Sequence, residues 1–143
     1  KAPKARIEGV DLEEMVEGGY EVIIGSVRDV QFGPTIMFGL GGIYVEVFKD
    51  VSFEIAPLSR EDALELIKST KAYQILKGFR GMPEADIDAL ADAIVKASNL
   101  VWDLREYIKE MDLNPVKVLP KGKGVKVIDA RFILEKADLS EIE

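Results

Sequence analysis

The strongest constraint on the fold is a change of hydrophobic period part-way along the chain. Between residues 11 and 58 the apolar residues come in short runs, Glu21-Val-Ile-Ile-Gly25 and Thr35-Ile-Met-Phe38, or alternate with charge, as in Tyr44-Val-Glu-Val-Phe48 and Phe53-Glu-Ile-Ala56. Such segments fit strands, which present successive side chains to opposite faces. Gly18-Gly19, Gly33-Pro34, Gly39-Leu-Gly-Gly42 and Lys49-Asp50 punctuate them about every 10 residues, the rhythm of an antiparallel meander. After residue 86 the period lengthens. Ile87, Leu90, Ile94, Ala97, Val101, Leu104 and Ile108 step by three and four, which predicts one long helix opened by Pro83-Glu-Ala-Asp86. Ser59-Arg-Glu-Asp62 reads as the N-cap of a shorter helix through Leu64, Ile67 and Lys68, and a short helical piece runs from Tyr73 to Leu76 before Gly78. Two further strands, Met111 to Leu119 and Val125 to Leu134, flank an exposed, flexible loop, Pro120-Lys-Gly-Lys-Gly124. The expected class is α+β, an antiparallel sheet with packed helices, in one lobe over 1–143: strand-rich 11–58, helical 59–109, hairpin 110–134.

Composition narrows the chemistry. A chain of 143 residues with 48% apolar residues is expected to form one domain, or one lobe of a larger one, with a real core. No stretch approaches the roughly 18 uncharged apolar residues of a spanning helix. The start, Lys1-Ala-Pro-Lys-Ala-Arg6, has no apolar region behind it, so no signal peptide, no membrane and a cytoplasmic location are expected. A net charge of −7 argues against a nucleic-acid surface. With no cysteine and no histidine, any chemistry runs on carboxylates, amides, lysines, arginines and backbone. Two Gln, two Asn and no Cys beside many Glu, Lys and Arg is a thermophile-like balance. The first residue is not Met, which reads as a processed product or a piece of a longer protein.

The densest constellation of chemistry-bearing residues lies on the last hairpin. Strand alternation puts Glu110, Asp112 and Asn114 on one face and turns Met111 and Leu113 into the core. The partner strand carries Asp129 and Arg131 on one face. Pairing around the 120–124 loop brings Asn114 and Asp129 near one another, two hard oxygen ligands beside a guanidinium. That set suits a Mg²⁺ held by few protein ligands plus phosphates, with Arg131 clamping a phosphoryl oxygen. The same spacing also describes a solvated charged sheet face. Gly39-Leu-Gly-Gly42 reads either as a backbone cradle for an anion or as an ordinary hairpin turn.

Together these motifs carry a resemblance. Glu110-Met-Asp-Leu-Asn-Pro115-Val with Val127-Ile-Asp-Ala-Arg131 resembles the metal-binding end of an ATP-grasp domain. Glu21-Val-Ile-Ile-Gly25, Asp29-Val-Gln-Phe-Gly-Pro34, Met37-Phe-Gly-Leu-Gly-Gly42, Val45-Glu46, Ala56-Pro-Leu58 and Gly78-Phe-Arg-Gly81 narrow the likeness to the β subunits of ADP-forming acetyl-CoA synthetases, NDP-forming acyl-CoA synthetases related to succinyl-CoA synthetase. The resemblance runs from about Ile7 to Leu134 and implies the C-terminal lobe of an ATP-grasp fold, with the preceding lobe absent from this chain. It implies the reaction acyl-CoA + ADP + phosphate ⇌ acid + CoA + ATP through a phosphohistidine. The partner would be an α subunit carrying the CoA and acyl site and the phosphohistidine loop, in a heterotetramer. Asn114 and Asp129 would ligate Mg²⁺, Asp112 would face the phosphohistidine, and Arg131 would touch the phosphates of ATP or ADP. Glu13 and the backbone of Glu14, Met15 and Val16 would meet adenine, and Glu21 the ribose hydroxyls. A non-catalytic nucleotide-binding module and another ATP-grasp ligase are the alternative readings of the same lobe.

Overall fold

The computed structural model describes residues 15, 18–41, 50–78 and 80–135. Six strands form one antiparallel sheet: β1 (Tyr20–Asp29), β2 (Gly33–Leu40), β3 (Val51–Ile55), β4 (Ile108–Val118), β5 (Val125–Val127) and β6 (Ala130–Leu134). Its order is β3-β2-β1-β4, with β5 and β6 both pairing with the far edge of β4. β1 and β2 pair as the turn spacing predicts, but β2 pairs directly with β3 on its other edge, where the expected meander puts the strand at Tyr44–Phe48. The expected strand at Tyr44–Phe48 lies outside the described residues.

Among the described residues three helices, α1 (Arg60–Lys68), α2 (Ala72–Leu76) and α3 (Ile87–Asp103), cover one face of the sheet. Ser59 closes a capping box with Asp62, as its sequence position predicts. The helix stripe of Leu90, Ile94 and Val101 packs with Val22, Ile24, Ile36, Phe38, Val116 and Val118 in one buried core. Buried Ser98 ties the layers together: its hydroxyl donates to Val95 O and accepts the Leu58 N–H at 3.1 Å. Arg60 spans α1 and α3 by pairing with Asp88 and Asp92, which gives a solvent-exposed bridge where only helix-start charges are expected.

Four other expectations need correction. The long helix stops at Asp103, not at residue 108. Leu104 is its C-cap, the Tyr107 and Ile108 N–H groups both bond back to Leu104 O, and Ile108 is the first residue of β4. A three-four step cannot distinguish a helix turn from a tight turn followed by an inward strand residue. The last strand is also broken in two, at Ile128 and Asp129.

The 120–124 loop is held in place. One carboxylate oxygen of Asp86 caps α3 through the Ala89 N–H, and the other accepts the Gly122 and Gly124 N–H groups at 3.1 and 2.9 Å. Gly39 lies inside β2, not in a turn. A Cβ there would stand 2.5 Å from the Asp50 carbonyl oxygen, so Gly39 is glycine because β2 and the chain entering β3 run too close for a side chain.

Candidate nucleotide site

The sheet face away from the helices carries the predicted residues, and the phase of β4 explains how. Ile108, Glu110, Asp112, Asn114, Val116 and Val118 are all two apart, so a regular strand would point all six the same way. Ile108, Val116 and Val118 are buried in the core. The middle three are turned outward because β4 is irregular on both sides of them. Against β6 the register jumps at Lys109, and against β1 two residues, Asn114 and Pro115, stand opposite Ile23. Such bulges re-aim side chains. The break between β5 and β6 faces the second of these jogs: Asn114 N–H donates to Asp129 O at 3.1 Å and Ile128 N–H to Pro115 O at 3.0 Å.

The resulting surface reads as rows across the strands. The central row is Phe53, Met37, Gly25, Asp112 and Arg131, each directly opposite the next. The next row toward the β1–β2 turn contains Val27, Glu110 and Ile133. Ile23, Asn114 and Asp129 lie on the other side. A cleft of about 440 Å³ opens over this face, with Ile23, Met37 and Phe53 on its apolar half and Glu110, Asp112, Asn114 and Arg131 on its polar half. Gly25 sits between the halves; a Cβ there would come within 3.1 Å of Met37 Cε, so its absence keeps the floor flat. The apolar side at Met37 and Phe53 suits a flat ring, and on the polar side Arg131 and Asn114 are the groups that can meet an anion, since Glu110 and Asp112 are carboxylates.

The structure brings Asp112, Arg131 and Asn114 together in the cleft. Asp129 adjoins Asn114 through the backbone, but its carboxylate does not line the cleft wall, and one of its oxygens accepts the Ala130 N–H at 2.9 Å. Among the described residues no three acidic side chains gather to hold an ion. Asn114 and Asp129 could each offer one oxygen to a hard divalent cation at this jog, with phosphate and water completing its shell, a pattern that Mg²⁺ favours. Glu21 is exposed at the start of β1, outside the cleft. Met15 is exposed, and Glu13, Glu14 and Val16 lie outside the described residues.

Sequence reading missed Met37 and Phe53. For Met37 a signal was available: in Thr35-Ile-Met-Phe38 consecutive apolar residues fill both faces of a strand, which marks the second face as covered or ligand-bearing.

The model of the ATP-grasp domain matches residues 1–134. The chain belongs to the ATP-grasp family. It is 56% identical over 133 residues to the acetate–CoA ligase [ADP-forming] II subunit beta of Pyrococcus furiosus, covering 93% of this chain and 56% of that protein. It is also 56% identical to acetate–CoA ligase [ADP-forming] I of Archaeoglobus fulgidus, covering 94% of this chain and 19% of that one. The chain thus spans about half the length of the subunit-sized relative and about a fifth of the longer one. Among solved structures, the dinucleotide forming acetyl-coenzyme A synthetase 1 of Ca. Korarchaeum cryptofilum, in complex with coenzyme A, Ca-AMPCP and HgCl⁺, superposes with a TM-score of 0.82 at 54% identity, covering 93% of this chain and 57% of that one. Another structure of that protein holds coenzyme A and Mg-AMPPCP, with a phosphohistidine segment pointing towards the nucleotide binding site. Among the described residues no helix is long and apolar enough to cross a membrane.

Proposed function

We propose that this chain is the nucleotide- and Mg²⁺-binding lobe of an ADP-forming acyl-CoA synthetase, with acetyl-CoA as the acyl donor. The reaction would be acetyl-CoA + ADP + phosphate ⇌ acetate + CoA + ATP. The observation that carries the reading is the central row: an apolar platform at Met37 and Phe53, a glycine floor, then Asp112 directly across from Arg131. Supporting it are relatives of this activity at 56% identity and the nucleotide analogues bound by a structural neighbour.

Phosphoryl transfer asks little covalent chemistry of the protein. This chain's part is to seat the base against Ile23 and Met37, aim the diphosphate toward Asn114 and Arg131, and neutralise charge with Arg131, whose planar guanidinium suits phosphoryl oxygens. Asp112 stands at the transfer point. Asn114 and Asp129 would hold Mg²⁺, which when bound draws charge from the phosphate oxygens. The chain has no histidine. The phosphohistidine, the CoA and acyl site and the second ATP-grasp lobe would come from the rest of the polypeptide and from an α subunit, in a heterotetramer of soluble, cytoplasmic subunits. Alone, the 143-residue lobe would bind nucleotide weakly and turn nothing over.

The test is calorimetric titration of ADP, with and without Mg²⁺, into the polypeptide at the length of its subunit-sized relative, wild type against Asp129→Asn. Asn keeps the acceptor for the Ala130 N–H. Metal-dependent binding that the substitution weakens by more than about tenfold, roughly 1.4 kcal/mol, is expected. Binding indifferent to both metal and Asp129 would leave the fold and remove the catalytic assignment.

A further inference from the structure

Glu110 is the cleft carboxylate that the proposed chemistry leaves without a task. It is half-buried, it lines the cleft, and no hydrogen bond or ion pair joins its side chain to another described residue. Its row explains why this is unusual. Asp112 at least has a cationic residue, Arg131, directly across the strands in its own row. Glu110 faces Val27 on one side and Ile133 on the other, both apolar. A strand without the irregularity at Lys109 would have turned position 110 to the core beside Ile108, so the bulge is what delivers this carboxylate to the cleft.

Glu110 lies on the far side of Asp112 from the Asn114–Asp129 jog. Same-face neighbours on a strand are about 7 Å apart, so Glu110 is one step beyond Asp112 and two steps, about 13 Å, beyond Asn114. A diphosphate anchored at the jog and at Arg131 does not need it, and its negative charge repels a phosphate placed there. The row instead opens outward past exposed Val27 and Ile133 toward the β1–β2 turn, where Val30 is fully exposed. An unmatched carboxylate between apolar neighbours fits a segment that brings an apolar contact together with a cationic or N–H donor.

We propose that Glu110 is a positioning residue for the incoming phosphoryl carrier: it accepts a cationic or N–H donor on the partner segment that flanks the phosphohistidine. This rests on the function proposed above and adds the contact that aims the carrier. In the step it serves, the N–P bond breaks with its electron pair left on the imidazole nitrogen, and an O–P bond forms to the β-phosphate oxygen of ADP. Glu110 touches neither bond, and Asp112 and Arg131 remain at the transfer point.

The test uses the complete enzyme with its partner subunit, its histidine charged from acetyl-CoA and labelled phosphate, then mixed with saturating Mg-ADP in a rapid-quench apparatus. Glu110→Gln should leave the Mg-ADP Kd within twofold of wild type and slow transfer of label to ADP at least tenfold. Glu110→Lys should slow it further, and Glu110→Asp should recover part of the loss. Transfer by Glu110→Gln within twofold of wild type overturns the inference. So does a weakened Mg-ADP Kd, which would put Glu110 in the nucleotide site, and so does an equal loss in all three variants. Failure of the underlying reading looks different, since wild type itself would then pass no label to ADP.

Discussion

Asp86 should be worth about 2–3 kcal/mol to this lobe, and the structure says how that sum divides. One oxygen caps α3 through Ala89, a contact typically worth about 1 kcal/mol. The other accepts from Gly122 and Gly124, two donors at the rim that water can partly satisfy, so about 0.5–1 kcal/mol each. Asp86→Ala loses all three and should lower the urea midpoint of the chain by about 1 M or somewhat more. Asp86→Asn separates the contributions. Its single oxygen can still cap α3, but its NH₂ then faces the two glycine N–H groups, so it should lose about 1–2 kcal/mol.

The pH dependence gives a second, independent check. Burial is the largest single influence on the Asp86 carboxyl and pushes its pKa up. The N–H groups of Ala89, Gly124 and Gly122 and the nearby charge of Lys121 together outweigh burial and leave the group below its ordinary 3.8. A group whose pKa is depressed on folding stabilises the fold in full above its unfolded value and loses that contribution as pH falls through the folded value. The gap between wild type and Asp86→Asn should therefore be constant near neutrality and shrink as pH falls below the ordinary carboxyl value of 3.8. An Asp86→Asn chain as stable as wild type at pH 7, or a gap that does not close in acid, would refute the assignment.

Two further outcomes follow from the packing. Ser98→Ala removes the acceptor of the buried Leu58 N–H and should cost about 1–3 kcal/mol, read as a lowered urea midpoint; a loss under about 0.5 kcal/mol would mean that Leu58 finds another partner. Gly39→Ala drives a Cβ into the Asp50 carbonyl, so it should cost at least about 2 kcal/mol and lower Tm by roughly 6–8 °C, and an unchanged Tm would show that β2 and β3 separate freely.

How much of this was legible beforehand depended on whether a feature is local. The hairpin of β1 and β2, the Ser59 capping box and the core stripe of α3 follow from period and cap chemistry, which a short window contains. What failed was decided by distant backbone. The stripe that continues through Leu104 to Ile108 crosses from helix to sheet, and its spacing is the same either way. The loop Pro120–Gly124 has the composition of a mobile turn, yet a carboxylate more than thirty residues upstream fastens it. Gly39 has the freedom of a turn glycine but is spent on close strand approach.

The candidate site shows the division most sharply. Alternation correctly groups Glu110, Asp112 and Asn114 and opposes them to Met111 and Leu113, but it places Ile108, Val116 and Val118 with the polar group as well. A regular strand would have to bury three polar residues or expose three apolar ones. The chain resolves this with one irregularity on each side of the polar segment, at Lys109 and at Asn114–Pro115, where a proline that cannot donate to the ladder is least costly. The contradiction in the pattern was itself the signal. Six same-parity residues, apolar at both ends and polar in the middle, require two phase changes, and the segment between them is the one the fold turns away from its core and into the cleft.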